Sequence, residues 1–368
     1  SQLNTNAILD ASGGTTTTVN GFTPTASNMA GRNRIINGDM RIDQRNAGAS
    51  VTPADGQYTI DRWKAGVSAA SKFSVQQSSV APTGFNFSML CTSLSSYSVG
   101  TNDNFEMFQL IEGFNTADLG WGTANAQAVT LSFWVRSSLT GTFGGSIQNS
   151  AFNRSYPFSY TISAANTWEQ KTITIAGDTS GTWIGATNGT GIVLCIGLGA
   201  GSGRSGTAGS WAGATYYNAT GATSVVGTSG ATFYITGVQL EAGSVATPFE
   251  HRQYGQELAL CQRYFQNAKY GINGVAFGVS NSYSNGDRVF LCGGSEFKVD
   301  MRAQPTITLY SSQTRTLGQV SGYSSGTDYV VSSTSSPDNR RIGMYLQLAS
   351  SPPVFDTLSF YFDASAEL

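Results

Sequence analysis

The sequence has few charged residues and no long apolar run. Lys, Arg, Asp and Glu make up 11% of its 368 residues, with a net charge of −2, against roughly 25% in an average soluble domain. It shows no basic stripe, so nucleic-acid binding is not predicted. It has no apolar run of 18 residues, so no membrane insertion is predicted. Its first 14 residues lack a basic region and an apolar core, so no secretion signal is predicted there.

Histidine and cysteine are also scarce. His251 is the only imidazole, and Cys91, Cys195, Cys261 and Cys292 show no C-x-x-C spacing. This pattern excludes the usual zinc sites, and no metal or cofactor is predicted. We interpret the cysteines as small buried hydrophobic residues, with a disulfide between Cys261 and Cys292 as the alternative.

Polarity comes instead from neutral residues, including 44 glycines. Such surfaces suit rigid extracellular β-proteins and tight homo-oligomers, in which symmetric contacts replace charged faces. Aromatic residues make up 11% of the chain, and apolar residues alternate repeatedly, which argues against disorder.

The alternation predicts β-strands. It is clearest over residues 129–135, 158–162 and 172–175, and residues 233–240 read as a strand interrupted at Gly237. Further strands are predicted at 275–279, 288–291, 306–310, 329–331, 341–348 and 358–362. Short strands separated by turn residues favour an antiparallel sandwich. The predicted fold is mainly β, with a linking α-helix and a smaller C-terminal β-domain.

The predicted organisation has four parts. They are an extended arm at 1–32, a β-sandwich domain at 33–250, a linking helix at 251–268 and a small β-domain at 269–368. In the helix, Tyr254, Leu258, Cys261 and Phe265 recur at helical spacing. This face is predicted to contact neighbouring subunits or to be buried between the two domains, and His251 packs at the joint.

Aromatic residues beside neutral hydroxyls and amides are what sugar recognition requires. Trp211, Tyr216 and Tyr217 lie in the glycine-rich segment 199–231, and together with Trp183 and Trp121 they are the candidate glycan-binding residues. Their alternative role is packing in a core or an interface. No acidic constellation suggests hydrolysis: Asp39 and Asp43 lie in a strand-and-turn segment. The chain is therefore not predicted to be an enzyme.

Six segments, in order, resemble a module of tailed-bacteriophage tail-fibre and related virion proteins. They are NGDMR (37–41), YTIDRW (58–63), VTLSFWVRSS (129–138), NTWEQKTITIAGDTSGTW (166–183), FYITGVQLEAGSVATPFEHRQYGQELALCQRYF (233–265) and VDMRAQPTITLY (299–310). The resemblance spans most of residues 33–310.

The resemblance implies a jelly-roll β-sandwich like that of carbohydrate-binding modules, carried on an extracellular virion fibre. It implies a homotrimer whose N-terminal arm joins other tail proteins, and attachment to host surface polysaccharide without catalysis. A structural calcium near Asn37 and Asp39 also occurs in such modules, but Arg41 stands where an acidic residue is usual, so no calcium is predicted. The alternatives are a purely structural virion component, such as a fibre shaft or decoration protein, and a polysaccharide depolymerase.

Overall fold

The computed structural model describes residues 31–267, 275–278, 288–322, 326–335, 338–348 and 357–368. The described chain is mainly β, with antiparallel sheets and one α-helix. It divides into two compact units. The predicted arm at 1–32 lies almost wholly outside the described residues.

Unit 1 comprises the described residues up to Arg41, together with Gly48–Thr59 and Trp63–His251. Its strands are β1 Lys64–Val67, β2 Phe73–Ser78, β3 Ser88–Ser93, β4 Asn104–Glu112, β5 Val129–Ser137, β6 Gly141–Gln148, β7 Ser155–Ile162, β8 Glu169–Ile175, β9 Thr190–Ala200, β10 Ser205–Gly206, β11 Asn218–Ala219 and β12 Thr232–Ala242. Two five-stranded antiparallel sheets form, in the orders β1-β4-β9-β6-β7 and β2-β3-β12-β5-β8. The pair β10–β11 is short and parallel.

The two sheets pack face to face through aromatic side chains. Phe133 of β5 contacts Tyr160 of β7, with ring centroids 5.0 Å apart. Phe143 of β6 lies 6.0 Å from Phe233 of β12. Because side chains alternate along a strand, these contacts bury one face of each sheet in a common core.

The alternation that predicted β5 is confirmed. Leu131, Phe133 and Val135 are buried, while Trp134 is half-buried on the other face. The interruption predicted at Gly237 is also confirmed: its φ is +61°, and the pairing of β12 with β5 shifts register between Thr236 and Gln239. Glycine suits this bulge because a left-handed φ costs it little.

Unit 2 comprises Ile42–Ala47, Ile60–Arg62 and Arg252–Leu368. Its elements are α1 Tyr254–Gln262, β13 Phe265–Asn267, β14 Val275–Gly278, β15 Arg288–Glu296, β16 Thr306–Ser311, β17 Gln319–Gly322, β18 Asp328–Ser335, β19 Arg341–Leu348 and β20 Thr357–Ser365. They form an eight-stranded sheet in which β20 pairs with β13, β14, β16 and β17. Its core includes Met301, Leu309, Val320 and Phe360.

The helix is shorter than the predicted 251–268, and of the four residues of its predicted apolar face only Cys261 is buried on the helix. Gln253 is extended, so α1 begins at Tyr254, whose side chain is 60% exposed. Phe265 is buried, but on β13, where it pairs with Ser365. The helix buries Cys261 together with Glu257, and a strand pairing has replaced its last predicted turns.

The one α-helix of the described residues has nine residues. No helix in the described ranges combines the length and apolarity needed to cross a membrane. Cys91, Cys195 and Cys261 are buried and free, as their interpretation as small hydrophobic residues predicted. The alternative, a disulfide between Cys261 and Cys292, involves a side chain outside the described residues.

Candidate functional site

One end of the sandwich in unit 1 collects four of its connections. Glu112 at the end of β4 pairs with Thr190 at the start of β9, and Gln148 at the end of β6 pairs with Ser155 at the start of β7. Val129, which begins β5, pairs with Ile175, which ends β8. The connections 113–128, 149–154 and 176–189 therefore meet at one end, which we call the loop end. Residues 207–217, from the connection between β9 and β12, reach it as well, because Ala212 bridges to Ser155.

Three of the predicted glycan-binding residues meet at the loop end. Trp121, Trp183 and Trp211 come from three different connections, and each ring contacts the other two edge to face. Their centroids are 4.7 Å apart for Trp121–Trp183, 5.4 Å for Trp121–Trp211 and 5.5 Å for Trp183–Trp211. Trp121 is buried, whereas Trp183 and Trp211 are half-buried. We call these residues the tryptophan triad.

Every indole N–H of the triad donates to an oxygen of unit 1. The acceptors are the Gln127 carbonyl at 2.7 Å from Trp121, the Asp178 carboxylate at 3.1 Å from Trp183, and the Ala176 carbonyl at 2.8 Å from Trp211. These bonds fix the orientation of each ring. The exposed parts of Trp183 and Trp211 therefore offer a ligand apolar surface and no additional indole donor.

An ion pair between half-buried Arg154 and buried Asp178 lies beside the triad. The Asp178 carboxylate accepts two hydrogen bonds from Arg154, at 2.8 Å from Nε and 2.6 Å from Nη2. Burial on its own raises the pKa of Asp178, but the hydrogen bonds from Arg154, the Ser180 amide and Trp183 outweigh burial and lower it. The pair is therefore ionised at neutral pH. The Arg154 guanidinium lies 5.8 Å from the Trp211 ring centroid.

Asn149 holds the turn from which Arg154 arises. Its side-chain oxygen accepts the backbone N–H groups of Asn153 and Arg154, both at 3.1 Å. Its Nδ2 donates to the carbonyl of Thr182, next to Trp183, at 3.1 Å. This fully buried amide thus ties the connection 149–154 to the connection 176–189.

Phe114 is a further aromatic residue of the loop end, and it was missing from the sequence-based candidates. Its side chain is 58% exposed. Its backbone N–H donates to the Thr187 carbonyl at 2.9 Å, and the N–H of Gly113 donates to Gly189 at 2.8 Å. The signal in the sequence is an aromatic residue between glycine and asparagine directly after a strand.

The other two glycan candidates, Tyr216 and Tyr217, end the segment 207–217, and their rings pack on partners outside the triad. Tyr217 packs edge to face on Phe108 at 5.9 Å, and its carbonyl accepts the Cys195 thiol at 3.1 Å. Tyr216 packs against Gly206, where an added Cβ would lie 2.3 Å from the Tyr216 ring. Among the described residues, neither tyrosine shares a ring contact with the triad. The prediction had grouped them with Trp211 because they are close in sequence, but the segment turns between them.

Residues 201–231, the covering segment, lie over the outer face of the sheet β1-β4-β9-β6-β7. Asn218 fills the space above two glycines of the sheet: a Cβ added at Gly144 or Gly197 would lie 2.5 and 2.4 Å from its side chain. With Tyr217 over Phe108, this closes the outer face. Glu106 of β4 is fully buried on this face.

Burial strongly perturbs the carboxyl group of Glu106. Burial raises its pKa to about 8, against the hydrogen bond from Asn104 and the charge of Arg204, while Asp55 raises it further. Its Oε1 accepts Asn104 Nδ2 at 2.7 Å, and its Oε2 is buried without a hydrogen-bond partner.

The predicted interface residues do not form one surface. Tyr254 is exposed, Leu258 is half-buried, and Cys261 and Phe265 are buried in unit 2. His251, in unit 1, is exposed, and its ring lies 4.9 Å from Phe249 and 5.3 Å from Phe85. Its predicted role in packing at the joint fits these ring contacts.

The segment weighed for a calcium site is occupied by protein contacts. Asp39 forms an ion pair with Arg41 at 2.6 Å, and the Asn37 carbonyl accepts the Trp63 indole at 3.2 Å. In the described ranges, no group of three or more His, Cys, Asp or Glu residues is arranged to hold a metal ion.

Comparison with known proteins gives structural similarities only. No family model and no curated protein matches the sequence. A putative sugar-binding protein from Bacteroides thetaiotaomicron aligns over 58% of this chain and 100% of its own, with TM-score 0.33 and 12% identity. A family 11 carbohydrate-binding module from Clostridium thermocellum aligns over 56% and 100%, with TM-score 0.26 and 11% identity. The enzymatically active domain of tailspike protein 4 from bacteriophage CBA120 aligns over 57% of this chain and 21% of its own, with TM-score 0.31 and 12% identity.

Proposed function

We propose that this chain is a receptor-binding virion protein of a tailed bacteriophage, which attaches to host surface polysaccharide without cleaving it. The observation that carries the binding proposal is the loop end. Trp183 and Trp211 are half-exposed with their orientations fixed, and the exposed Phe114 lies on the same end. The low charge of the chain and the six virion-like segments support the phage assignment.

The ring surfaces are suited to the apolar faces of sugar rings. The hydroxyl side chains of Ser180, Thr182 and Thr187 are exposed around them and can hydrogen-bond sugar hydroxyls. A single such contact is weak. In the homotrimer that we propose, with the arm at 1–32 joined to other tail proteins, three sites would act together and raise the apparent affinity.

A structural role is the second candidate, and one observation favours it. All three indole N–H groups are satisfied within unit 1, as they would be in a small core that closes the end of the sandwich. A virion component with no ligand would need the triad for stability alone. The two roles differ in whether removal of an exposed ring changes binding without unfolding the chain.

The test is the variant Trp211→Ala, with Trp183→Ala beside it. If these rings are central contacts, each substitution should weaken binding to purified host surface polysaccharide by about 2 kcal/mol, or roughly 30-fold. Isothermal calorimetry or binding to whole host cells measures the change.

Trp168→Ala is the matched control. Trp168 is also half-buried, and it packs on Tyr234 at 6.1 Å in the connection between β7 and β8, at the opposite end of the sandwich. Equal binding by all three variants would contradict the loop-end site and favour the structural role. Shortened polysaccharide after incubation would instead show a depolymerase. A monomer in a solution mass measurement would contradict the homotrimer.

A further inference from the structure

We propose that the loop end binds uncharged sugar units and rejects polysaccharides that carry carboxylate, sulfate or phosphate groups. This inference rests on the proposed glycan-binding function and names the ligand class of the same site. It follows from the charges around the tryptophan triad.

The four segments that surround the triad contain very few charged residues. In 113–128, 149–154, 176–189 and 207–217 the only ones are Asp118, Arg154 and Asp178. Arg154 is paired with Asp178, and Asp118 is paired with Arg34 at 2.5 Å. Two arginines thus face two aspartates, and the charges at this end cancel.

Both arginines use two nitrogens of the guanidinium on acceptors of the protein. Arg154 uses Nε and Nη2 on Asp178, whose carboxylate is buried. Arg34 uses Nη1 on the Asn115 carbonyl at 2.9 Å and Nη2 on Asp118, and its Nε is buried. An anionic sugar would compete with a protein carboxylate for each of these cations, and in one case that carboxylate is buried.

An anion at this end would therefore lose hydration without a compensating charge, which is unfavourable. An uncharged sugar needs only apolar contact and neutral hydrogen bonds, both of which the loop end provides. Because no net charge is neutralised on binding, the affinity should also depend little on salt concentration.

The experiment uses the full chain on a panel of matched polysaccharides, including dextran and dextran sulfate, and unmodified and carboxylated forms of one glucan and one mannan. Affinity electrophoresis is run at 50 and 500 mM NaCl with wild type, Trp211→Ala and Trp168→Ala. We expect retardation by uncharged members only, less than a twofold change with salt, and loss in Trp211→Ala but not in Trp168→Ala.

The outcomes distinguish a failure of this inference from a failure of the proposed glycan-binding function. Retardation by anionic members that is lost in Trp211→Ala, or a tenfold loss of binding at high salt, would overturn the inference and leave the glycan site standing. Retardation that persists in Trp211→Ala, or no retardation by any member, would contradict the proposed site and the inference with it.

A gain-of-function variant tests the same charge argument. The Thr182 side chain is exposed beside Trp183, and only its backbone carbonyl is used by Asn149. Thr182→Arg places a new cation there, and Thr182→Gln is the uncharged control of similar length. We expect Thr182→Arg alone to bind dextran sulfate at least tenfold more tightly than wild type at 50 mM NaCl, with the gain lost at 500 mM. No gain would count against the inference.

Discussion

Replacing Glu367 with glutamine is expected to lower the free energy of unfolding of unit 2 by about 3–5 kcal/mol. The Glu367 carboxylate accepts Arg45 Nη2 at 2.6 Å and also forms an ion pair with Arg62. Arg62 is 1% exposed, and its guanidinium lies 3.6 Å from the Tyr264 ring centroid. Removing the charge of Glu367 leaves two arginines in a dry environment without this shared partner.

The backbone around Glu367 makes relaxation difficult. Arg302 donates from Nε to the Ala366 carbonyl at 2.7 Å and from Nη2 to the Glu367 carbonyl at 2.8 Å. On the other side, the Arg45 guanidinium lies 3.7 Å from the Phe265 ring centroid. The arginines are therefore held by packing and cannot turn outward freely, so most of the desolvation penalty remains.

Differential scanning calorimetry of the full chain measures this effect, and Asp300→Asn is the control. Asp300 pairs with Arg340 at 2.9 Å in the same unit, but the two side chains are 57% and 70% exposed. An exposed pair contributes at most about 1 kcal/mol. Similar losses of unfolding free energy in Glu367→Gln and Asp300→Asn would show that the cluster around Glu367 is solvated and that its burial does not increase the contribution of the ion pairs to stability.

This cluster also shows where sequence analysis stops. Asp61 and Arg62 of YTIDRW are adjacent charged residues, and both are 1% exposed. Their partners were not predictable. Asp61 accepts Gln44 Nε2 at 2.8 Å, while Arg62 pairs with a residue 305 positions later. Alternation reports which face is buried, but it carries no information about which distant charge completes a pair.

Strands were likewise predictable from local periodicity, whereas long-range contacts were not. Period-two alternation predicted β5, β7 and β8 because a strand with one face in a core must repeat every two residues. The helix prediction failed in part because its period was counted through Phe265, which a long-range pairing with Ser365 draws into a strand. Local periodicity carries no information about that long-range pairing.

At the loop end, composition identified Trp121, Trp183 and Trp211 individually. Their contact depends on strand order: the connections of Trp121 and Trp183 meet because β4 ends beside β9 and β5 begins beside β8, and that of Trp211 reaches them because Ala212 bridges to Ser155. Tyr217 shares no ring contact with them, because its ring packs on Phe108 and the segment next covers the sheet, with Asn218 seated over Gly144 and Gly197. Phe114 was missed because exposure is a property of the fold.

Glu106 leads to the second large effect: Glu106→Gln is expected to stabilise the chain, and increasingly so as the pH rises. The ordinary pKa of this carboxyl group is 4.5, and burial raises it to about 8 in the folded chain. Between these values the folded state holds a proton that the unfolded state has lost. The free energy of unfolding therefore falls as pH rises from about 4.5 to 8, at about 1.4 kcal/mol per pH unit at most.

Glutamine removes this proton linkage and keeps the shape. At pH 5 the variant and wild type should differ by less than about 1 kcal/mol, whereas at pH 8 the variant should be more stable by about 3–5 kcal/mol. Chemical denaturation of wild type and Glu106→Gln at pH 5, 6, 7 and 8 measures the divergence. The series ends at pH 8 because burial also raises the pKa of Cys195 and of Tyr217, which would add their own slopes above it.

Glu169→Gln separates this linkage from a general loss of charge. Hydrogen bonds from Lys171 and from the Ala164 and Ser163 amides lower the pKa of Glu169, so this carboxylate is ionised in both states from pH 5 to 8. Its variant should differ from wild type by a constant amount over that range. A constant difference for Glu106→Gln as well would mean that Glu106 is hydrated beneath the covering segment. Divergence in Glu106→Gln alone would establish that residues 201–231 seal the sheet over a protonated carboxyl group, which excludes this face from solvent and leaves the loop end as the accessible aromatic surface.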